Sequence, residues 1–275
     1  VDPKTELIDY DELEKIAKEN KPKMIIAGAS SYSILIDYER ISKIAEEVGA
    51  YFMVDMAHIA GLVAAKVIPS PIPYADFVSS STTKTFCSAR SGMVFCKEKY
   101  AKILDKGTFP GSLGSLMFNT MAAKTWSFKY AASQEFHDIM AQVIVNAKCL
   151  AEELQKYGFR IVSGGTDNHL LVVDLRSKGL TGKTMQNALD AVGITVNKNM
   201  IPFDPEKPGV TSGIRIGLTA VSQRGLKEPE IREIAAIINQ VAEAPEDEAN
   251  LKACKAKAEA LIAKFPLYPA GSFDD

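Results

Sequence analysis

Cysteine and histidine are scarce in this sequence, and their spacing matches no metal or disulfide pattern. The 275 residues include four cysteines and three histidines, and no two cysteines form a CxxC pair. Structural zinc sites and disulfide frameworks depend on such residues at characteristic spacing. We therefore expect no metal site and no disulfide framework, and the scattered cysteines favour a reducing, cytoplasmic compartment.

Long apolar runs and an excess of basic charge are missing as well. No apolar run approaches the roughly 20 residues that cross a bilayer. Acidic and basic residues are interleaved and give a formal net charge of -2, whereas a nucleic-acid binder normally carries a basic segment. The sequence thus predicts neither a membrane nor a nucleic acid as a partner.

The composition that is present is that of a globular protein. Hydrophobic residues make up 47% of the chain and charged residues 24%, which argues against a disordered or fibrous protein. A chain of this length can also bury a substantial core. Length and composition therefore permit an enzyme with one large domain or two smaller ones.

Helical and strand patterns alternate through the first half of the chain. The helical segments are residues 9–20, 37–48 and 97–106, and the strand segments are residues 23–29, 51–54, 76–80 and 92–96. Short alternating segments are typical of crossover units on a mostly parallel sheet, in which ligands lie at the carboxyl ends of the strands. Ser30, Asp55, His58 and Lys84 all follow strand ends, so we expect them to meet in one crevice.

The second half of the chain begins with a long helical pattern over residues 133–157, which stops at Gly158. An apolar stripe and a terminal glycine are typical of a helix that packs against a core. The elements expected after it are strands at residues 159–162, 170–175 and 213–217 and helices at residues 181–192, 228–242 and 246–264. Together they predict a smaller α/β domain.

Lys84 and Asp55 are the side chains that most suggest covalent cofactor chemistry. Lys84 lies in a hydroxyl-rich run at residues 79–85, where a partly desolvated amine can form a Schiff base. Asp55 directly follows a strand, where a carboxylate can keep the pyridine nitrogen of a cofactor protonated. The alternatives are a solvated surface lysine and a carboxylate that caps a turn.

His58 and Arg215 also have two interpretations each. His58 stands three residues after Asp55, and it is either a cofactor contact or a packed histidine bonded to backbone. Arg215 has apolar neighbours on a short predicted strand, where its guanidinium can present a rigid fork to a substrate carboxylate. Its alternative is a structural ion pair.

Six stretches of this sequence resemble the serine hydroxymethyltransferase family. They are KMIIAGAS at residues 23–30, VDMAHIAGL at 54–62, YGFRIVSGGTDNH at 157–169, VDLRSKGLTG at 173–182, GITVNKNMIPFD at 193–204 and TSGIRIG at 211–217. The resemblance extends over residues 1–268. It implies the fold-type I α/β architecture, with part of a three-layer, mostly parallel, aspartate-aminotransferase-like large domain and a smaller C-terminal α/β domain.

The resemblance divides the chain and assigns roles to its residues. Residues 1–132 match the C-terminal part of the large cofactor-binding domain, residues 133–158 a connecting helix, and residues 159–275 the small C-terminal α/β domain. Lys84 matches the lysine that binds pyridoxal 5'-phosphate covalently, and Asp55 matches the aspartate on the pyridine nitrogen.

Further positions are matched to cofactor and substrate contacts. His58 and Ser30 match residues near the phenolic oxygen of the cofactor, and Gly114 lies in a loop that approaches the cofactor phosphate of the neighbouring subunit. Arg215 matches the arginine that binds the carboxylate of the amino-acid substrate. Arg90 and Asn199 are further predicted substrate contacts, with Asn199 at a folate-contacting position.

Two motifs depart from the family pattern. The lysine motif T-H-K-T-L-R-G-P-R-G-G reads TTKTFCSARSG at residues 82–92, and the loop F-P-G-x-Q-G-G-P reads FPGSLGSL at residues 109–116. The altered positions include Thr83, Cys87, Ser88, Ala89, Ser115 and Leu116. These changes put in doubt the tuning of the lysine and the close approach of the loop to the phosphate.

The activity implied by the resemblance is pyridoxal-phosphate-dependent hydroxymethyl transfer between serine and glycine, with tetrahydrofolate as the one-carbon acceptor. The family's phosphate-binding cup, stacking aromatic residue and proton-handling glutamate precede the matched segment. We therefore expect a second chain that carries the N-terminal half of the fold, in a dimer or heterotetramer. The alternative is a non-catalytic or reaction-shifted paralogue that acts as a scaffold subunit of a heteromeric complex.

Overall fold

The computed structural model describes residues 1–268, and residues 269–275 of the predicted small domain lie outside the described residues. The chain divides into two compact units. The first unit contains residues 8–30 and 35–141. The second unit contains residues 1–7, residues 31–34 and the chain from residue 142 onward.

The first unit contains a four-stranded sheet and five helices that lie wholly within it. In chain order these elements are α1 (Tyr10–Asn20), β1 (Met24–Ala27), α2 (Tyr38–Val48), β2 (Tyr51–Asp55), α3 (Ala60–Ala64), β3 (Phe77–Ser81), β4 (Gly92–Cys96), α4 (Ala101–Thr108) and α5 (Phe118–Ala131). A 3-10 turn at Glu98–Tyr100 precedes α4. The strand order is β1-β2-β3-β4, with β1, β2 and β3 parallel and β4 antiparallel to β3.

The local sequence explains why α2 begins and ends where it does. Asp37 accepts a hydrogen bond from the backbone N–H of Arg40 at 2.9 Å, which satisfies one of the unpaired donors at the helix start. Gly49 ends the helix with φ +69°, a conformation that glycine adopts without a steric penalty. Because α2 contacts β1 and β2, these two caps position it on the sheet.

The two faces of this sheet differ in exposure. Phe52, Val54 and Val78 share one face and are at most 2% exposed. Side chains alternate between faces along a strand, so Ile26 and Tyr51 lie on the other face. Their exposed fractions are 66% and 46%. The second face of the first-unit sheet is therefore apolar and open in the described chain.

The second unit is built on an antiparallel sheet. Its elements are α6 (Gln134–Lys156), which begins in the first unit, β5 (Arg160–Ile161), β6 (Leu170–Asp174), α7 (Gly182–Ala191), β7 (Asn197–Asn199), β8 (Gly213–Gly217), α8 (Thr219–Gln223), α9 (Glu228–Glu243) and α10 (Glu248–Ile262). Two 3-10 turns lie at Val162–Gly164 and Arg176–Lys178. The strand order is β5-β6-β8-β7.

The core of the second unit lies around β6, whose five residues are all buried. Apolar side chains of α6, α7 and α9 join this core, including Leu150, Leu189 and Ile238. The unit also contains a buried polar contact. The Asn146 amide donates hydrogen bonds to Ser222 Oγ and to the Leu226 carbonyl, both at 2.8 Å. These hydrogen bonds satisfy a polar group whose burial without a partner would destabilise the fold.

The predicted fold class, a mixed α/β protein with a parallel-rich sheet, is confirmed. The sequence interpretation nevertheless missed the helices α3, α5 and α8 and the strand β7. The apolar residues of α5 are spread around the helix rather than along one stripe, and β7 is a three-residue polar strand. Both elements therefore lack the periodicity on which sequence-based assignment rests.

Within residues 1–268, none of the helices combines the length and the apolar character that crossing a bilayer requires.

Candidate active site

The loop that carries Lys84 is closed by a buried threonine. It leaves β3 after Ser81 and returns to β4 at Gly92. The Thr82 hydroxyl, which is fully buried, lies 2.6 Å from the Ala89 carbonyl and 3.0 Å from the Ser91 carbonyl. The Thr82 N–H also donates to the Ser91 carbonyl at 3.0 Å. The loop is therefore held together at its base by the first residue after the strand.

Lys84 and Thr83 are both exposed on this loop. The Thr83 hydroxyl lies 2.8 Å from Ser81 Oγ, and the Thr83 N–H donates to the same oxygen at 3.2 Å. The Thr83 side chain therefore turns back toward the end of β3. Lys84 is an exposed residue three positions after the end of β3.

Asp55 is the last residue of β2, directly beside β3. It pairs in register with Ser79 and is exposed. One carboxylate oxygen accepts the Ala57 N–H at 3.0 Å, which is a turn-capping contact. The acid and Lys84 thus follow neighbouring parallel strands, so they lie at the same edge of the sheet.

The end of β1 also approaches this edge closely. Gly28 has φ +145°, and a Cβ built on it would lie 2.4 Å from the Asp55 carbonyl oxygen. Only a glycine permits this approach and this backbone conformation. Ser30 follows two residues later and is exposed. The glycine in KMIIAGAS was a signal for this close contact that sequence reasoning did not use.

His58 and Lys84 lie on segments that are joined through Thr85. Thr85 is 1% exposed, and its hydroxyl donates to the His58 carbonyl and accepts the Gly61 N–H, both at 2.9 Å. A Cβ on Gly61 would lie 2.0 Å from the Thr85 carbonyl oxygen, so the two backbones are in direct contact. His58 itself is half-buried. Sequence reasoning gave no role to Thr85 or Gly61.

The remaining first-unit candidates, Arg90 and Gly114, are both exposed. Arg90 lies on the Lys84 loop itself. Gly114 lies between α4 and α5, and a Cβ built on it would meet no atom of the described residues within 4 Å. Ser30, Asp55, His58 and Lys84 therefore all lie on segments at the carboxyl ends of the parallel strands β1, β2 and β3, whereas Gly114 lies on an open loop.

Arg215 and Asn199 lie on neighbouring strands of the second unit. Arg215 is half-buried in β8 and donates from Nη2 to Asn197 Oδ1 at 2.9 Å. Burial lowers the pKa of the Arg215 guanidinium. Asn199 on β7 donates its amide to the Met200 carbonyl at 2.6 Å. Asn197, which pairs with Arg215 in register, orients the guanidinium and was not predicted from the sequence.

No candidate metal centre is found in the part of the chain that the structure describes. There, no three His, Cys, Asp or Glu residues are grouped so that they could hold a metal ion. A surface groove of about 330 Å³ lies in the second unit, and its lining includes Lys183, Asn187 and Glu246. None of the predicted site residues lines this groove.

Comparison with known protein families gives a match over most of the chain. A family model described as serine hydroxymethyltransferase matches residues 1–238. The match includes every predicted site residue in both units. It also includes the sheet edge of the first unit and the β7–β8 pair of the second unit.

Proposed function

Since the chain belongs to the serine hydroxymethyltransferase family, we propose that it carries the lysine-bearing part of a pyridoxal-phosphate transferase site. The proposed reaction transfers a hydroxymethyl group between serine and glycine, with tetrahydrofolate as the one-carbon acceptor. The observation that carries this proposal is the placement of Lys84 and Asp55, both exposed, after neighbouring parallel strands.

The residues at this edge fit pyridoxal phosphate by their chemistry. An amine that can bind an aldehyde and a carboxylate that can bind a pyridinium nitrogen follow adjacent strands. Each residue of the segment between Ser79 and Thr83, at the exit of β3, carries a hydroxyl group. The set is therefore suited to a flat, phosphorylated aldehyde with a basic ring nitrogen.

Each of these side chains has a distinct proposed task. When bound, pyridoxal phosphate supplies an electron sink for bond cleavage next to the amino group of the substrate. Lys84 binds the aldehyde carbon, and Asp55 holds a proton on the ring nitrogen. In the second unit, Arg215 binds the substrate carboxylate with a guanidinium that Asn197 orients. His58, Ser30, Arg90, Gly114 and Asn199 are the further proposed contacts.

We also propose that a second chain, which carries the N-terminal half of the fold, completes the site. Ile26, Tyr51 and Val94 lie on the open face of the first-unit sheet, with exposed fractions of 66%, 46% and 43%. An apolar sheet face of this kind normally packs against another layer. This exposure supports a partner, in keeping with a family whose members are typically oligomeric. We place the assembly in the cytoplasm.

A scaffold subunit without catalytic activity is the second candidate. Ser88, one of the altered residues of the lysine loop, has a buried hydroxyl oxygen without a hydrogen-bond partner. A buried unsatisfied hydroxyl costs about 1–3 kcal/mol, so Ser88 does not stabilise the loop through this oxygen. The Thr83 hydroxyl is engaged by Ser81 as well. Both observations favour a loop that has drifted from its catalytic form, or one that serves a changed reaction.

Cofactor titration of the purified chain tests the proposal. We expect pyridoxal phosphate to produce the visible absorption band of a lysine-bound aldehyde, and we expect Lys84→Ala to abolish it. Lys102→Ala is the matched control, because Lys102 is an exposed lysine of α4 away from the lysine loop.

Two outcomes of the titration count against the proposal. An unchanged band in Lys84→Ala removes the assigned role of this lysine. No cofactor binding, either by the chain alone or with its N-terminal partner, favours the scaffold subunit.

A further inference from the structure

The Lys84 segment is held in place by a neighbouring hydroxyl group, and the role inferred for this group rests on the proposed function. Thr85 follows the lysine directly, and its side chain is almost fully buried. Its hydroxyl contacts are distant in sequence, because His58 and Gly61 precede it by 27 and 24 residues. A single hydroxyl thus connects the lysine loop to the turn that follows Asp55.

The Thr85 hydroxyl forms a hydrogen bond with each of two backbone partners. The His58 carbonyl accepts its proton, and the Gly61 N–H donates to its oxygen, each at 2.9 Å. Gly61 lies in the first turn of the short helix α3, where backbone N–H groups have no partner within the helix. Thr85 therefore satisfies one donor and one acceptor in a buried place, where leaving them unpaired is costly.

The other contacts of the lysine loop do not replace this connection. The Thr82 hydroxyl bonds carbonyls of the same loop, so it gives the loop its shape but does not fasten it to the Asp55 turn. Phe86 packs against Phe128 and Phe136 of the helices that follow. Gly61 packs closely against the Thr85 backbone, but this packing contact supplies no directional bond between the two segments.

We propose that Thr85 is a positioning residue that holds the Lys84 amine in register with the Asp55 carboxylate through its two hydrogen bonds to the His58–Gly61 turn. Lys84 and Asp55 must act on opposite ends of one flat cofactor. A displacement of about 1 Å between groups that act together can cost about 100-fold in rate. Thr85 therefore determines whether both groups engage the cofactor simultaneously.

The test compares Thr85→Val, which keeps the shape but loses both hydrogen bonds, with Thr85→Ser, which keeps the hydroxyl. We expect Thr85→Val to weaken pyridoxal phosphate binding by about tenfold or more, as judged from the visible band, since loss of about 1.4 kcal/mol corresponds to tenfold. Thr85→Ser should bind within about twofold of the unchanged chain. Thr125→Val is the matched control, because its hydroxyl also bonds a backbone carbonyl, within α5.

A second readout does not need the cofactor. Amide hydrogen exchange of the cofactor-free protein should be faster at Gly61 in Thr85→Val and unchanged in Thr85→Ser. Unchanged exchange in Thr85→Val overturns the connection itself. Faster exchange with cofactor affinity kept within about twofold overturns the positioning role.

Two further outcomes separate this inference from the proposed function. The unchanged chain and its partner could fail to bind pyridoxal phosphate while Gly61 still exchanges faster in Thr85→Val. That result removes the cofactor role of Thr85 but retains its connection to the His58–Gly61 turn. If Thr85→Val does not fold, Thr85→Ser serves as the test instead. A loss of about tenfold in its affinity for pyridoxal phosphate, despite the retained hydroxyl, contradicts the inference.

Discussion

At the scale of single residues, the most heavily paired charge lies in the second unit. The Asp174 side chain is 2% exposed and accepts hydrogen bonds from Arg160 at 2.6 Å and from Arg176 at 2.8 Å. Arg160 also pairs with Glu6 at 2.9 Å. Burial alone raises the pKa of the Asp174 carboxyl, but the hydrogen bonds from Arg176 and Arg160 outweigh it and lower the pKa.

This shift predicts a pH-dependent contribution to stability. Because the folded-state pKa of Asp174 is lowered, its ionised carboxylate stabilises the fold at pH values above the unfolded-state pKa of about 3.9. This stabilisation is lost as the pH falls through the folded-state pKa. We expect Asp174→Asn to lower the free energy of unfolding by about 2 kcal/mol at pH 7, and by less at pH 3. Urea unfolding followed by far-ultraviolet circular dichroism measures both values.

The control for this prediction is Asp190→Asn, because Asp190 is an exposed carboxylate on α7. It should change the unfolding free energy by less than about 0.5 kcal/mol at either pH. An equal loss of stability at pH 7 and at pH 3 in Asp174→Asn would show that the charge of Asp174 is not responsible.

The sequence indicated some site residues and not others for a physical reason. Asp55 and Lys84 could be recognised because residues after parallel strands reach a common sheet edge. Thr85 and Asn197 could not, because their importance comes from partners that only the folded chain brings near. Thr85 bonds residues 24 and 27 positions away, and Asn197 meets Arg215 across a strand pair. The roles of Asp55 and Lys84 stay predictions.

At the scale of elements, the contact between α3 and the lysine loop is the tightest at the site. A Cβ on Gly61 would lie 2.0 Å from the Thr85 carbonyl oxygen, which is a backbone atom that cannot move aside alone. We expect Gly61→Ala to lower the free energy of unfolding by about 3 kcal/mol through overpacking. Fluorescence of Trp126, which belongs to the same unit, reports the unfolding.

Gly107→Ala is the matched control for this substitution. Gly107 lies within α4, and a Cβ there meets nothing within 4 Å. The change should raise the free energy of unfolding by about 0.5–1 kcal/mol, because alanine favours the helix over glycine. Comparable effects of the two substitutions would mean that Gly61 has no special close contact.

The predicted bounds of an element match the observed ones where the helix caps and the apolar periodicity of the sequence indicate the same residues. The helix expected at residues 37–48 is observed as Tyr38–Val48, because Asp37 caps its start and Gly49 its end. The strand expected at residues 159–162 is only Arg160–Ile161, because Ser163 takes φ +58° within a 3-10 turn. The helix α5 was missed because its apolar residues face all sides, a pattern that normally marks a helix buried among neighbours.

At the scale of the whole molecule, this apolar helix predicts assembly. Phe118 and Trp126 of α5 are 80% and 64% exposed, and the preceding loop adds Leu116 and Met117 at 63% and 68%. Contiguous apolar surface of this kind marks interaction sites. We expect the unchanged chain to have a larger mass than one chain by light scattering, and Phe118→Glu combined with Trp126→Glu to reduce that mass.

Leu267→Glu is the control for the assembly prediction, because Leu267 is an apolar residue outside α5 with an exposed fraction of 61%. It should leave the mass unchanged. A single-chain mass for the unchanged protein, or an unaltered mass in the double variant, would contradict a role for α5 in assembly.

The measurement that tests the central claim most directly is chemical trapping of the cofactor on its lysine. The chain, alone or with the proposed N-terminal partner, is mixed with pyridoxal phosphate, reduced with borohydride and digested. The labelled peptide is then identified by mass spectrometry. The account predicts the label on Lys84, in the peptide that contains the TTKTF sequence. A label on any other lysine, or none on this peptide, would contradict it.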